Sequence, residues 1–274
     1  MTELRKLQLI EVETLKEILR ICNKYNLKCY LWYGTLLGAV RHGGFIPWDD
    51  DLDLTMPEED YNRFLEIAKS ELNDEFFLHY IGTDKNYFPA FARIRRNDTV
   101  YIPDVYKWAK FSHNGVWVDI YPLRYAKSNH SLTEKVKFYI LRKVFRPATA
   151  INVMGVKSDN AAKKLLGKLI QKFDLETLQR WNDRVASSCK KKDAKYLVCE
   201  GSKNNMRNYY HPIERFGNGI IYDFEGVPCL IPADWDGVLR QIYGDYMQLP
   251  PEEQRVGHLP TIMDLSKVEV PEQE

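Results

Sequence analysis

The 274-residue chain holds no apolar run near the roughly 20 residues that span a bilayer, so no transmembrane helix is expected. Residues 1–18 are amphipathic and carry acids and bases. They lack the apolar core and cleavage site of a secretory signal, which is therefore not expected. Five cysteines (Cys22, Cys29, Cys189, Cys199, Cys229) are odd in number and widely spaced, and no CxxC occurs. That pattern supports neither a disulfide framework nor a zinc knuckle. The expected compartment is the reducing cytoplasm. Neither charge dominates: 39 Lys and Arg face 38 Asp and Glu. The whole chain is thus no general polyanion binder, and no nucleic-acid partner is expected. There is no internal repeat, no low-complexity tract and no Pro/Gly/Ser-rich linker. What is present is a globular composition, 45% hydrophobic and 28% charged, which excludes wholesale disorder.

The charge balance hides an asymmetry. Residues 1–123 carry 15 basic and 19 acidic side chains, 124–192 carry 17 and 5, and 193–274 carry 7 and 14. This divides the chain into a core (1–123), a basic helical segment (124–192) and a C-terminal part (193–274) expected to pack back on the core as one unit. Within 158–172, Lys164, Lys168 and Lys172 recur every four residues, while Leu165, Leu166, Leu169 and Ile170 line another face. Such a basic face suits an anionic surface, a phosphate-bearing substrate or a membrane leaflet, or simply pairs with the acidic flanks.

Periodicity predicts a helix over 3–25 and a strand over 28–33. A short helix then opens at Gly34-Thr35 and runs through Arg41, and a loop spans 42–48. Residues 51–55 alternate as a strand, with Asp51 and Asp53 on one face and Leu52 and Leu54 on the other. Pro57 suits the first position of a helix reaching about Leu72. Strands follow at 76–81, 90–95 and 115–123. In the last of these Trp117, Asp119 and Tyr121 share a face. The final third suggests a hairpin, 219–224 with 226–231, and a helix over 235–243. Strands alternating with helices indicate an α+β or α/β core with a helical addition.

The densest chemical signal is WDDDLDL, residues 48–54. Asp49, Asp51 and Asp53 on one strand face repel one another unless a cation sits among them. A hard divalent ion that takes oxygen ligands is the expected remedy. Asp119, interrupting an apolar strand, is the best third carboxylate. Gly34 and Thr35 follow a strand and open a helix, a place where backbone N–H groups and a hydroxyl can cradle phosphate or simply cap the helix. Arg41 and His42 follow that turn. Arg93 and Arg95 lie two apart on one strand face, as an anion site or as surface charge. Asp50 points away as a structural residue, and Trp48 with Pro47 shapes the loop.

These residues carry a resemblance. GTLLGAVRHGGFIPWDDDLDL (34–54) is similar to the signature of the LicD family, phosphotransferases on a nucleotidyltransferase-type fold. GVWVDIYPL (115–123), FEGVPCLIP (224–232), YGDYMQLPPEEQR (243–255) and His258 extend the likeness across most of the chain, least clearly over 124–218. The resemblance implies an α+β nucleotidyltransferase-like core, a mixed sheet flanked by helices. It implies donor-phosphate contacts at Gly34 and Thr35, and a metal pair at Asp51 and Asp53 with Asp119 as the third acid. The implied reaction passes phosphocholine from CDP-choline to a sugar hydroxyl of a teichoic acid, lipopolysaccharide or similar glycan, releasing CMP.

The implied cofactor is Mg²⁺, with Mn²⁺ as the alternative. The partners are a CDP-linked donor and a soluble or lipid-linked glycan acceptor. The location is cytoplasmic, with peripheral contact at the inner face of the membrane left open. On this reading Arg41, His42 and Arg93 are candidate donor contacts. Asp49, Trp48, Arg95, Arg255 and His258 are candidate substrate contacts, and Lys164, Lys168 and Lys172 are a candidate anionic-surface contact. Choline requires an aromatic box, for which Trp32, Trp48, Trp117, Tyr121, Tyr209 and Tyr210 are available. Transfer of ribitol phosphate or glycerol phosphate stays open. So do nucleotidyl transfer with pyrophosphate release and a non-catalytic binding role.

Overall fold

The computed structural model describes residues 1–155, 160–199, 206–257 and 260–270. Helix α1 (Glu3–Tyr25) forms as its spacing predicts. The Thr2 hydroxyl accepts from Arg5 N–H at its start, and Leu7, Ile10, Leu15 and Ile18 are buried. Strand β1 (Tyr30–Leu31) is shorter than expected. Helix α2 (Tyr33–His42) begins at Tyr33, which takes a left-handed φ of 40°. A β-region cap, Trp32, joins the two.

Strand β2 (Asp53–Pro57) starts two residues later than predicted, leaving Asp51 in the irregular segment before it. Pro57 ends that strand and is the N-cap of α3 (Glu58–Glu71) rather than its first helical residue, because its extended ψ of 144° continues the strand. Glu58, Glu59 and Asp60 fill the first turn, where the helix dipole favours acids.

Strands β3 (Phe76–His79), β4 (Ala92–Arg96), β5 (Val100–Pro103) and β6 (Trp117–Ala126) follow. The basic segment is helical, as predicted: α4 (Leu132–Ile140), a π-helical stretch at Leu141–Phe145, α5 (Arg146–Met154), α6 (Ala161–Ile170) and α7 (Leu175–Ala186). Strands β7 (Tyr196–Cys199), β8 (Tyr210–Pro212), β9 (Ile220–Phe224) and β10 (Val227–Ile231) lead to α8 (Trp235–Tyr243) and β11 (Pro260–Asp264).

The main sheet runs β3-β4-β6-β2-β1-β10-β9, with β7 on the far half of β6 and β8 on β7. The β2/β6 and β1/β10 pairs are parallel and the others antiparallel. This is the mixed, helix-flanked α+β sheet expected. The β9/β10 hairpin also forms as predicted. A separate ladder, β5 with β11, was not legible, and it seals a second small core of Leu7, Ile10, Tyr101, Trp117 and Leu265. All five cysteines are buried and none is in a disulfide. Among the described residues no helix is long and apolar enough to cross a membrane.

The sheet centre aligns the acids. Asp53 at the head of β2 lies in register with Asp119 on β6, and Asp119 is in register with Arg93 on β4. Gly38 keeps the next layer close: a Cβ there would lie 2.4 Å from the Gly44 carbonyl oxygen and 3.2 Å from Ile46 N. These are backbone atoms, so they cannot rotate away. Gly38→Ala is therefore expected to destabilise the fold by about 1–3 kcal/mol, the usual range for overpacking, read as a lower urea midpoint. An unchanged midpoint would show that the 43–46 loop gives way freely.

Candidate active site

Local rules explain how the acids come together. The Thr35 hydroxyl in the first turn of α2 accepts from the Asp53 backbone N–H at 2.8 Å, so the start of the helix and the start of β2 are tied. Gly34 has no side chain because Asp49 occupies that space: a Cβ at Gly34 would meet Asp49 Oδ2 at 2.8 Å. The Asp49 carboxylate thus rests at the N-terminus of α2, where the helix dipole favours an anion. Asp50 takes the structural role anticipated, accepting from the Tyr101 hydroxyl.

Asp53 is buried, and its Oδ1 has no hydrogen-bond partner. Burial, then the charges of Asp51, Asp119 and Asp49, hold its carboxyl well above the ordinary range, against a smaller opposing contribution from the Tyr121 hydroxyl. Glu11 from α1 joins the cluster. It is buried, its Oε2 lacks a partner, and burial together with Asp51, Asp50, Asp49 and Asp53 pushes its carboxyl well up. Glu11 falls at heptad-like spacing between Leu7 and Leu15 on the apolar face of α1. That misplaced acid was the signal available in the sequence.

Asp119 is held from two sides. Arg93 Nε donates to its Oδ1 at 2.6 Å, and the Tyr121 hydroxyl donates to its Oδ2 at 3.2 Å. Burial, then Asp119 and Asp53, raises the Tyr121 phenol well above its usual value, so it remains a donor. The Arg93 guanidinium is buried between the rings of Trp117 (4.2 Å) and Tyr106 (4.7 Å), and its Nη2 donates to the Tyr106 hydroxyl. Its Nη1 is buried with no partner.

The reading of Arg93 and Arg95 as surface charge is corrected, since both are buried on a central strand. Arg95 Nε donates to His79 Nδ1 and its Nη1 donates to the Gly115 carbonyl. Burial and then Arg93 lower its pKa to about 9. Burial and then the charge of Arg95 bring His79 down to about 3, so His79 is neutral and its Nε2–H is left for Asp84 at 2.8 Å.

Arg41, His42, Trp48 and Arg255 gather elsewhere, at the C-terminal end of α2. At 1.5 Å per residue, Arg41 lies about 10 Å along the helix from Gly34. Arg41 Nη1 donates to the Tyr246 carbonyl at 2.7 Å, His42 meets the Trp48 ring edge-on, and Arg255 lies over the same Trp48 ring at 5.5 Å. His258 lies outside the described residues. Lys164, Lys168 and Lys172 are exposed on and just after α6.

A cavity of about 300 Å³ opens between the sheet and the α4–α5 segment, and Tyr121, whose hydroxyl donates to Asp119, is part of its lining. Phe91, Tyr106 and Tyr121 form its wall toward the acids, and Lys137, Arg142 and Arg146 line the helical side. The aromatic candidates separate accordingly. Trp32 is core, stacked on Phe216. Trp117 is occupied by Arg93 and Arg95, and Trp48 by Arg255. Tyr121, packed on Phe91 at 4.3 Å, keeps a cavity-facing position, and Tyr209 and Tyr210 also line the cavity.

Two buried carboxylate oxygens without partners, set among further carboxylates, fit a hard cation, because an unpaired buried charge is costly. Among the described residues no three His, Cys, Asp or Glu side chains stand so placed that together they could hold a metal ion.

The site sets acids at the heads of two adjacent parallel strands beside a Gly-Thr helix start. Residues 26–159 match the family model described as LicD/FKTN/FKRP, nucleotidyltransferase domain. It is 28% identical over 271 residues to the lipopolysaccharide cholinephosphotransferase LicD of Haemophilus influenzae, covering 93% of this chain and 95% of that protein. It is also 28% identical over 112 residues to the human ribitol 5-phosphate transferase FKRP, covering 39% of this chain and 22% of that protein.

Proposed function

We propose that this chain transfers phosphocholine from CDP-choline to a sugar hydroxyl of a cell-surface glycan precursor, releasing CMP. The observation that carries the reading is the end-to-end likeness to a cholinephosphotransferase, joined to a cluster of buried acids at the matching domain. The acceptor oxygen bonds to the phosphorus bearing choline, the bond from that phosphorus to the bridging oxygen breaks, and CMP leaves with that oxygen. Asp51 and Asp53 would hold Mg²⁺, which when bound neutralises charge on the diphosphate.

Asp119 receives the acceptor proton. Both its oxygens already accept one hydrogen bond, and an ionised carboxylate has about four acceptor positions, so capacity remains. Arg93 and Tyr121 fix its orientation. The quaternary ammonium has a suitable wall in Tyr121, Phe91 and Tyr106, where ring faces attract a desolvated cation. A ribitol phosphate donor is the second reading, favoured by the local likeness to the ribitol 5-phosphate transferase.

The test is CMP release from CDP-choline, CDP-ribitol and CDP-glycerol with Mg²⁺, water standing in for the acceptor. Slow, metal-dependent release from CDP-choline alone is expected. Release from CDP-ribitol alone would move the assignment to the second reading. Pyrophosphate release from a nucleoside triphosphate with transfer of the nucleotide would sink both.

A further inference from the structure

Helix α6 faces the wrong way for a helix of a purely water-soluble surface. Gly167 is its one buried residue. At about 100° per residue, Leu165 and Leu169 lie some 160° around the helix from Gly167, with Ala162 and Leu166 in the same outer arc. The accessibilities agree: Leu165 is 62% exposed, Leu166 56% and Leu169 46%. Phe173, just beyond the helix, is 46% exposed. The apolar stripe that normally turns to a core is here turned to solvent. The helix is not adrift. It packs against α5, and Asn152 of α5 donates to the carbonyls of Ile170 (3.2 Å) and Phe173 (2.8 Å).

Charge selects what covers this face. Lys163 and Lys168 flank the apolar arc on its two sides and Lys172 follows the helix, the arrangement in which long basic side chains reach from an apolar layer to charged headgroups. The segment 124–192 as a whole holds 17 basic and 5 acidic side chains. A second copy of this chain meeting it face to face would bring the same excess of positive charge against it. A soluble anionic polymer would neutralise the lysines but offers no apolar medium for three leucines and a phenylalanine. An anionic bilayer supplies both, headgroup phosphates outside and acyl chains beneath. Helix α4 carries a further exposed stripe at helical spacing, Leu132, Val136 and Tyr139.

We propose that α6 is an interfacial anchor that lays Leu165, Leu166, Leu169 and Phe173 into an anionic phospholipid leaflet. This inference does not depend on which group the enzyme transfers, and its readout is lipid binding rather than activity. The test is co-sedimentation of the full chain with vesicles of phosphatidylcholine alone or with about one-third phosphatidylglycerol, in 0.15 M salt. Two variants accompany it: Leu165→Ser with Leu169→Ser, and Lys163→Glu with Lys168→Glu. All four positions are exposed, so circular dichroism is expected to be unchanged.

The expected result is pelleting with phosphatidylglycerol vesicles, at least tenfold stronger than with phosphatidylcholine alone, and at least tenfold weaker for each variant. No pelleting of the wild type would overturn the proposal. Equal pelleting of the leucine variant would also overturn it, reducing the contact to surface charge. A dimer in solution that the leucine variant converts to monomer, without vesicle binding, would assign the face to self-association instead.

Discussion

Asp53→Asn is expected to lower CMP release by about 10³-fold or more and, in cation-free buffer, to raise the melting temperature. The first effect follows from the role proposed for Asp53. Removing one of two anionic ligands forfeits several kcal/mol of charge stabilisation at the diphosphate, and each 1.36 kcal/mol is a factor of ten in rate. The second follows from burial. Asp53 Oδ1 has no partner, and Asp51, Asp119 and Asp49 surround it.

Its native pKa is raised above the unfolded value near 3.8. Between those two values the native state holds the extra proton, so stability falls as pH rises from about 4 through the raised pKa. An amide carries no charge and removes that part of the slope, while Glu11, raised in the same sense, retains its own. Thermal melts across pH 4–8 with and without Mg²⁺ measure this. Mg²⁺ is expected to raise the wild-type melting temperature far more than that of Asp53→Asn. Wild-type activity in the variant, or a lower melting temperature at pH 7 without metal, would refute the assignment.

Arg93→Met is the second large effect, with a different signature. Arg93 is the cation that faces Asp119 inside the sheet, with Nε 2.6 Å from Oδ1 and Trp117 and Tyr106 on its flanks. Methionine fills part of the volume but leaves a carboxylate buried beside Asp53 with no counter-charge. Breaking one side of a buried pair costs about 3–5 kcal/mol, a large part of a domain's stability. Lysine is not expected to rescue it, because a point charge cannot donate to Asp119 and Tyr106 along the two directions the guanidinium uses. Urea titrations of Arg93→Met, Asp119→Asn and the double variant test the coupling. The double variant is expected to be more stable than Arg93→Met alone. Simple additivity would show that the pair carries no interaction energy of its own.

Much of this site was legible because its signals are local. The alternation of WDDDLDL, the Gly-Thr turn and the acid inside GVWVDIYPL each need only a few residues to be seen, and the sheet places Asp53 and Asp119 in register. The parts that were not legible are set by neighbours distant in sequence. Arg95 reads as an exposed cation until His79, Gly115 and Trp117 are around it. Glu11 lies some 40 residues from the aspartates, and only the packing of α1 brings it to them. The end of the predicted strand at 28–33 was lost to the left-handed Tyr33, a conformation propensity disfavours in a bulky residue. The ladder of β5 with β11 joins chain segments that nothing in either local pattern connects. The lysine repeat of α6 was visible in sequence, but which face turned outward was not.

The parallel pairing of β1 with β10 sets an order in time. Tyr30 and Leu230 are neighbours in the sheet yet about 200 residues apart along the chain. A ribosome delivers the Gly-Thr turn and the aspartates early, and the strand that flanks them last but one. Until then β1 has an open edge, and Leu31 and Trp32 lack part of their cover. Contacts of such long reach form slowly, because a long loop must close before any pairing rewards it. A nascent or truncated chain ending before residue 227 therefore presents an unpaired strand edge beside a cluster of mutually repelling acids. Such a chain is a substrate for holding chaperones and proteases before it is an enzyme.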